Sequence, residues 1–159
     1  MRRCVRTPTR LVQEEGCRAL RNLACDAPAN RTAIAAAGGV ECVTAAMRTH
    51  ADAADMQEDG CLALGNLARN HPANQTAIAA AGGIECVIAA MRTHADSEKV
   101  QQKGCFVFSF LVDHQKAAVA ASGAPALVAS AARRFGPNAN VQKYAREVAH
   151  VVKQGARLM

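Results

Sequence analysis

Residues 76–83 read TAIAAAGG, and the same eight letters stand 44 positions earlier, at residues 32–39. The match extends outward from there, because residues 12–55 and 56–99 are identical at 31 of 44 positions. A third unit begins at Val100, and a shortened fourth begins 41 residues later. A repeat of this length predicts an all-α fold in which similar helical units stack side by side as an α-solenoid.

The composition favours closely packed helices. Alanine supplies 36 of the 159 residues, aromatic residues supply 3%, and tryptophan is absent. Alanine has the highest helix propensity and loses no side-chain entropy on burial, whereas a β-sandwich needs β-branched and aromatic residues. Every stretch long enough to span a membrane is interrupted by polar residues, so no spanning helix is expected. The length fits one domain, residues 1–159.

Each unit is predicted to contain three helices, most clearly in the central one. Asn74 is the expected N-cap of a short helix over 76–81. That helix ends at Gly82-Gly83, where the chain should turn with positive φ. A second helix follows over 84–93, and a long third helix runs over 96–113 with Asp96 as its cap. The last unit lacks three residues, which spacing places before its Gly123 corner.

The net charge of +6 belongs to the two ends of the chain. Residues 1–21 carry +4 and residues 133–159 carry +5, whereas residues 22–132 carry −3. The basic ends leave nucleic-acid binding open as an alternative function. Against it, the sequence shows no continuous basic face with aromatic residues between the charges, which such proteins commonly use.

The cysteines follow the repeat. Cys17, Cys61 and Cys105 are 44 residues apart, and the chain has no CxxC pair. Equivalent positions in repeated helices predict small buried hydrophobic side chains and no disulfide framework. The odd total of seven indicates a reducing compartment, which we expect to be the cytoplasm, with the nucleus as a second option.

The short helix, the Gly-Gly corner and the long helix ending Ala-Leu-x-Asn-Leu-Ala together resemble the armadillo repeat. The resemblance implies a right-handed superhelix of three-helix repeats. HEAT repeats, which have two helices, are the nearest alternative. The unit is also similar to arrays attached to large multidomain signalling proteins such as leucine-rich-repeat kinases. The implied parts are the third helix of a partial repeat (10–26), two full repeats (28–69 and 72–112), a shortened terminal repeat (115–154) and a tail (155–159).

The resemblance implies that the third helices line a concave groove that binds an extended peptide or a partner domain. Helical phase shows which residues should face that groove: Arg18 and Asn22 lie opposite the core positions Gly16, Leu20 and Leu23. Carrying the phase through the repeats gives the predicted partner-binding residues Arg18, Asn22, Leu62, Asn66, Arg69, Phe106 and Phe110.

Two of these assignments have alternatives. In the armadillo family the asparagine amide bonds the backbone of an extended ligand, but Asn22 and Asn66 could equally fix neighbouring loops. Phe106 and Phe110 could anchor a partner, or they could fill the gap left by the three missing residues. The tryptophan that accompanies this asparagine in importin-α is replaced by Arg18 and Leu62, which argues against binding of basic nuclear-localisation peptides.

The sequence indicates no enzyme, cofactor or metal site. It lacks G-x-S-x-G, Walker and G-x-G-x-x-G motifs. The acidic pairs Glu14-Glu15 and Glu58-Asp59 lie early in long helices, where negative charge is favourable without any catalytic role. His50 and His94 lie 44 residues apart and are expected to be helix C-terminal residues and not zinc ligands.

The function that we expect from the sequence is a non-enzymatic scaffold that binds a protein or peptide, without a small-molecule substrate or a membrane. The alternatives are a nucleic-acid-binding solenoid and a regulatory part of a larger, kinase-like protein. The first helix has no preceding repeat to cover Val12, Cys17 and Leu20. End-to-end self-association or further repeats upstream would cover that helix.

Overall fold

The computed structural model describes residues 9–156, with side chains as far as residue 154. These residues form ten α-helices and no strand, which confirms the all-α prediction. The helices are α1 (Arg10–Ala24), α2 (Pro28–Ala36), α3 (Gly39–Thr49), α4 (Ala54–Ala68), α5 (Pro72–Ala80), α6 (Gly83–Thr93), α7 (Glu98–His114), α8 (Lys116–Ala121), α9 (Ala124–Arg134) and α10 (Ala139–Ala156).

A short, a middle and a long helix recur three times, as the 44-residue period predicts. The shortening of the last unit lies in α8, which has six residues where α2 and α5 have nine. Helix α10 continues through Ala156, so the predicted tail 155–159 begins too early. The basic residues Arg2, Arg3, Arg6 and Arg157, on which the nucleic-acid alternative partly depends, lie outside the described residues.

Two predicted caps are wrong, one by three residues and the other by one. Helix α5 begins at Pro72, whose missing N–H costs nothing in the first turn, and the Nδ1 atom of His71 accepts from the backbone N–H of Asn74. Asn74 is therefore inside the helix, where its buried amide donates to the carbonyl of Leu67 at 3.0 Å. Ser97, and not Asp96, caps α7.

The corners between short and middle helices depend on glycine. Gly82 has φ 72°, in the left-handed region that residues with a Cβ avoid, and Gly38 and Gly123 have the same conformation at 78° and 82°. The following Gly83 needs to be glycine for another reason: a Cβ there would lie 2.6 Å from Cγ2 of Ile78. The prediction of a positive-φ corner is confirmed.

The core lies between equivalent helices of successive units. The long helices α1, α4, α7 and α10 contact one another in that order, and α3, α6 and α9 do the same. Cys17, Cys61 and Cys105 are buried between them, as the repeat predicts. Burial raises the pKa of Cys105 to about 12, so its thiol stays protonated at neutral pH.

Helix α1 is less covered than its equivalents. Val12 is 60% exposed and Leu23 is 53% exposed, although phase assigned Leu23 to the core. Cys17 was expected to be uncovered and is instead buried, because it faces Val43 and Ala46 of α3. Within residues 9–156 no helix by itself has the length and apolar character of a membrane span; α5 and α6 meet that test only as a pair bent by 70°.

Candidate protein-binding cleft across the long helices

A cleft of about 400 Å³ crosses the long helices, and we call it the central cleft. It takes residues from α1, α4, α7 and α10, so three successive helix contacts are needed to form it. The residues that line it are Arg21, Asn22, Cys25, Glu58, Leu62, Asn66, Arg69, Gln102, Lys103, Phe106 and Tyr144.

The central cleft brings together most of the residues that the phase argument selected. The five that line it are Asn22, Leu62, Asn66, Arg69 and Phe106. Arg18 and Phe110 do not line it. Phe110 is half-buried and packs edge to face against Phe106, with ring centroids 5.0 Å apart.

The two asparagines have different roles. Asn66 is 4% exposed, and its Nδ2 donates to the backbone carbonyl of Arg21 at 2.8 Å. It therefore ties α4 to the last turn of α1, which agrees with the loop-fixing alternative. Asn22 is exposed, and its amide has no hydrogen bond within the part of the chain that the structure describes. Of the two asparagines, only Asn22 has a side-chain donor and acceptor available to a peptide.

Phe106 is a buried packing residue at the base of the central cleft. It is 9% exposed and lies between Gly65 of α4 and Tyr144 of α10, whose ring centroid is 5.3 Å away. The expectation of an exposed pair of rings is wrong here. Gly65 makes the space for the ring, since a Cβ at that position would lie 2.6 Å from Cε1 of Phe106. The equivalent residues, Arg21 and Ser109, leave no such space.

Arg18 is half-exposed and engaged in ion pairs within the protein, at a second cleft of about 330 Å³ beside the first. Its Nε lies 3.1 Å from Oδ2 of Asp59 and its Nη1 lies 2.6 Å from Oε1 of Glu15. Asp59 and then Glu15 raise the pKa of the Arg18 guanidinium above its usual range. The buried Asp59 carboxylate also pairs with Arg21, so it holds two arginines of α1 against α4.

The prediction for Asp59 missed this role. The sequence argument treated its charge only as favourable near a helix N-terminus. The sequence did contain a signal for it. Arg18 and Arg21 of α1 are replaced in the next unit by the uncharged Leu62 and Gly65. A carboxylate present in α4 can pair with cations that only α1 supplies.

Other residues of the central cleft could also have been found by phase. Glu58 and Gln102 precede Leu62 and Phe106 by four residues, so they share the same helix face one turn earlier. Tyr144 replaces Lys103 at the equivalent position of the last unit. Burial and then Glu147 raise the pKa of Tyr144, while Arg69 opposes the shift.

The charge of the central cleft is mainly positive. Arg21, Arg69 and Lys103 face it, against the carboxylate of Glu58. Arg69 pairs with Asp26 at 2.7 Å, and Arg21 pairs with Asp59. Lys103 has no ion-pair partner among residues 9–154, so it is the cation most available to a ligand.

The two equivalent histidines cap helices. His50 and His94 are the C-cap residues of α3 and α6, which confirms their predicted position. His94 donates from Nε2 to the carbonyl of Ala51 at 2.8 Å, and Nε2 of His50 lies 2.6 Å from Oε1 of Gln13. The described part of the chain has no group of three His, Cys, Asp or Glu residues placed to hold a metal ion.

These features describe an all-helical protein of repeated three-helix units with a cleft across its long helices. Comparison with family models gives no match, and comparison with curated protein sequences gives none either. Among solved structures, the crystal structure of an engineered protein from the Northeast Structural Genomics Consortium is similar, with a TM-score of 0.78 and 24% identity. The match covers 95% of this chain and 60% of the engineered one, and it shows the fold alone.

Proposed function

We propose that this chain is an armadillo-type, right-handed α-solenoid and a non-enzymatic scaffold that binds an extended segment of another protein in the central cleft. The observation that carries the proposal is the position of that cleft. It crosses four long helices that come from four successive units, and five residues selected from the repeat line it. A surface assembled in this way is long and continuous, which suits an extended chain.

The chemistry of the central cleft suits a peptide. The free amide of Asn22 can donate to a backbone carbonyl and accept from a backbone N–H of any sequence. Leu62 is half-buried and provides apolar surface beside Phe106. Lys103 and the two arginines favour a ligand with acidic side chains, since opposite charges raise both the association rate and the specificity.

The proposed location is the cytoplasm or the nucleus. All six cysteines that lie among the described residues are free, and four of them are buried. Buried thiols without disulfides suit a reducing compartment.

The test selects short random peptides displayed on phage against the intact protein and measures their affinity for variants. Asn22→Ala and Lys103→Glu should each weaken the selected peptides about tenfold or more. The matched controls are Asn140→Ala and Lys153→Glu, which make the same changes at exposed positions of α10 outside the cleft. Asn66→Ala is not a clean test, because it also removes the bond to α1.

Two results would contradict the proposal. If the selected peptides bind all four variants as tightly as the unmodified protein, the central cleft is not their site. If no peptide is selected but DNA or RNA binds with an affinity that falls steeply with salt, the nucleic-acid function is correct instead.

A further inference from the structure

Two adjoining clefts lie on the surface formed by the long helices. The cleft of about 330 Å³ that holds Arg18 shares Arg21 and Glu58 with the central cleft, and we call it the second cleft. Its lining residues are Arg18, Arg21, Asp55, Glu58, Asp59 and Lys99. Because the two clefts share lining residues, an extended chain that lies in one can continue into the other.

Most charged side chains that line the two clefts are paired. The ion pairs are Arg18–Asp59, Arg21–Asp59, Lys99–Glu58 and Arg69–Asp26. Two lining residues have no ion-pair partner among residues 9–154, and they have opposite charges: Asp55 in the second cleft and Lys103 in the central cleft.

The charge of Asp55 has a simple local explanation, but its combination with Lys103 does not. Asp55 is exposed in the first turn of α4, where a negative charge is favourable without a ligand. Lys103 is half-buried in the second turn of α7, where the helix dipole does not favour a cation. An anion and a cation left unpaired in adjoining clefts, whose other charges are matched, suit a ligand that carries both charges.

The contacts between α4 and α7 fix the register of these two charges. Lys99 meets Glu58, and seven residues further along each helix Phe106 meets Gly65. The two helices therefore run in the same direction with a constant offset. By that offset Lys103 lies beside Leu62.

This register separates Asp55 and Lys103 by about 14 Å. Leu62 is seven residues after Asp55, which is about 10 Å along the helix axes, and packed helices add about 8–10 Å across them. An extended chain rises about 3.3 Å per residue and its side chains alternate between faces, so residues four apart are about 13 Å apart on one face. Residues three or five apart point to opposite faces.

We infer that the two clefts together bind an extended segment in which a lysine or arginine stands four residues from an aspartate or glutamate. The basic side chain pairs with Asp55, and the acidic side chain pairs with Lys103. The inference rests on the proposed function, because it names the class of segment that the scaffold binds. It adds a requirement that the central cleft alone does not give, since an acidic ligand of that cleft needs no basic residue.

The probes for the test are fluorescein-labelled nonapeptides with blocked ends, built from serine, threonine and glycine around two charged residues. The uncharged residues disfavour a helix, so the two charges do not pair across a helical turn of the peptide. One lysine and one glutamate stand three, four or five positions apart, in both orders, and anisotropy gives the affinity for the full chain. We expect the better order at a separation of four to bind about threefold or more tighter than any peptide with a separation of three or five.

Charge-reversal variants test which residue recognises each charge. At a separation of four, the unmodified protein should prefer one lysine and one glutamate over two glutamates or two lysines. Asp55→Lys should prefer two glutamates, and Lys103→Glu should prefer two lysines, each by about threefold or more. The matched control is Glu85→Lys, which reverses an exposed acidic residue in the first turn of α6, outside both clefts. It should keep the preference of the unmodified protein.

The three variants should fold as the unmodified protein does. None of the three residues has an ion pair to lose within the part of the chain that the structure describes. Circular dichroism and the thermal midpoint should therefore stay close to those of the unmodified protein, and a change of peptide preference then reports on binding.

The inference is overturned if separations of three and five bind as tightly as four, or if either reversal in the clefts leaves the preference unchanged. Phage-selected peptides that respond to Asn22→Ala, together with nonapeptides that show no preference for a separation of four, would leave the proposed function standing and overturn the inference alone. If the selected peptides ignore the central cleft and no nonapeptide binds, both are wrong.

Discussion

Gly65→Ala should destabilise the protein, although the same change at Gly16 should stabilise it. Replacing glycine by alanine in a helix interior gains about 0.5–1 kcal/mol through backbone entropy. Gly65 and Gly16 both lie inside long helices, so this gain applies to each. At Gly65 the new methyl carbon would lie 2.6 Å from Cε1 of Phe106, whereas carbon atoms in contact are separated by about 3.5–4.0 Å.

The Phe106 ring must therefore move by about 1 Å, and it is held by Phe110 and Tyr144. Overpacking of this kind costs about 1–3 kcal/mol. The backbone gain cancels in the comparison, so the unfolding free energy of Gly65→Ala should be lower than that of Gly16→Ala by about 1–3 kcal/mol.

Urea unfolding followed by circular dichroism measures both variants, provided that a second probe gives the same transition. Phe106→Leu in the Gly65→Ala background should recover part of the loss, with a coupling energy of about 1 kcal/mol or more. Equal stabilisation by the two glycine substitutions would refute the contact between Gly65 and Phe106, and with it the assignment of that ring to the base of the central cleft.

Three further predictions concern stability. Asn66→Ala should cost about 1–2 kcal/mol in urea unfolding because it leaves a backbone carbonyl unpaired, while Asn22→Ala should change the unfolding free energy by less than about 0.5 kcal/mol. Asp59→Asn removes a buried carboxylate shared by two arginines of α1, so it should lower the thermal midpoint and reduce the unfolding free energy by about 3 kcal/mol. The control Asp55→Asn, at an exposed position, should not cause this loss. Burial raises the pKa of Cys105 to about 12, so the unfolded chain loses this proton first and the unfolding free energy should fall as pH rises from about 9 to 12. Because burial also raises the pKa of Cys17, Cys61 and Cys86, Cys105→Ala should reduce the slope of the urea-unfolding profile by up to about 1.4 kcal/mol per pH unit without abolishing it.

The repeat predicts the helices well because each helix depends mainly on its own sequence. The positive-φ corner at Gly82 needs only the local conformational freedom of glycine, and the shortening of α8 follows from counting residues. The caps were harder to predict, since Asn74 is a strong N-cap by type but is held inside α5 by bonds to Leu67 and to the carbonyl of Arg31 in the preceding unit. Such long-range bonds override local preference.

Five of the seven residues selected by helical phase line the central cleft and two do not, and the reason for the difference is physical. Helical phase gives the direction of a side chain from its own helix, and it assumes that the neighbouring helix presents the same surface in every unit. That assumption fails at Phe106, because Gly65 opens a space that no other unit has. It also fails at Arg18, since Asp59 lies across the helix contact and captures its guanidinium. Phase selects candidates, but the residue opposite decides whether each candidate is free.

The same reasoning explains which positions in the repeat are informative. Two residues that face each other across a helix contact share a fixed volume, so they change together. Met47 faces Gly60 and Met91 faces Gly104. In the last unit both equivalent positions, 132 and 145, are alanine. A glycine on one side thus goes with a methionine on the other, and two alanines divide the same space more evenly. Complementarity between units, and not similarity among them, therefore identifies which positions of the repeat change together.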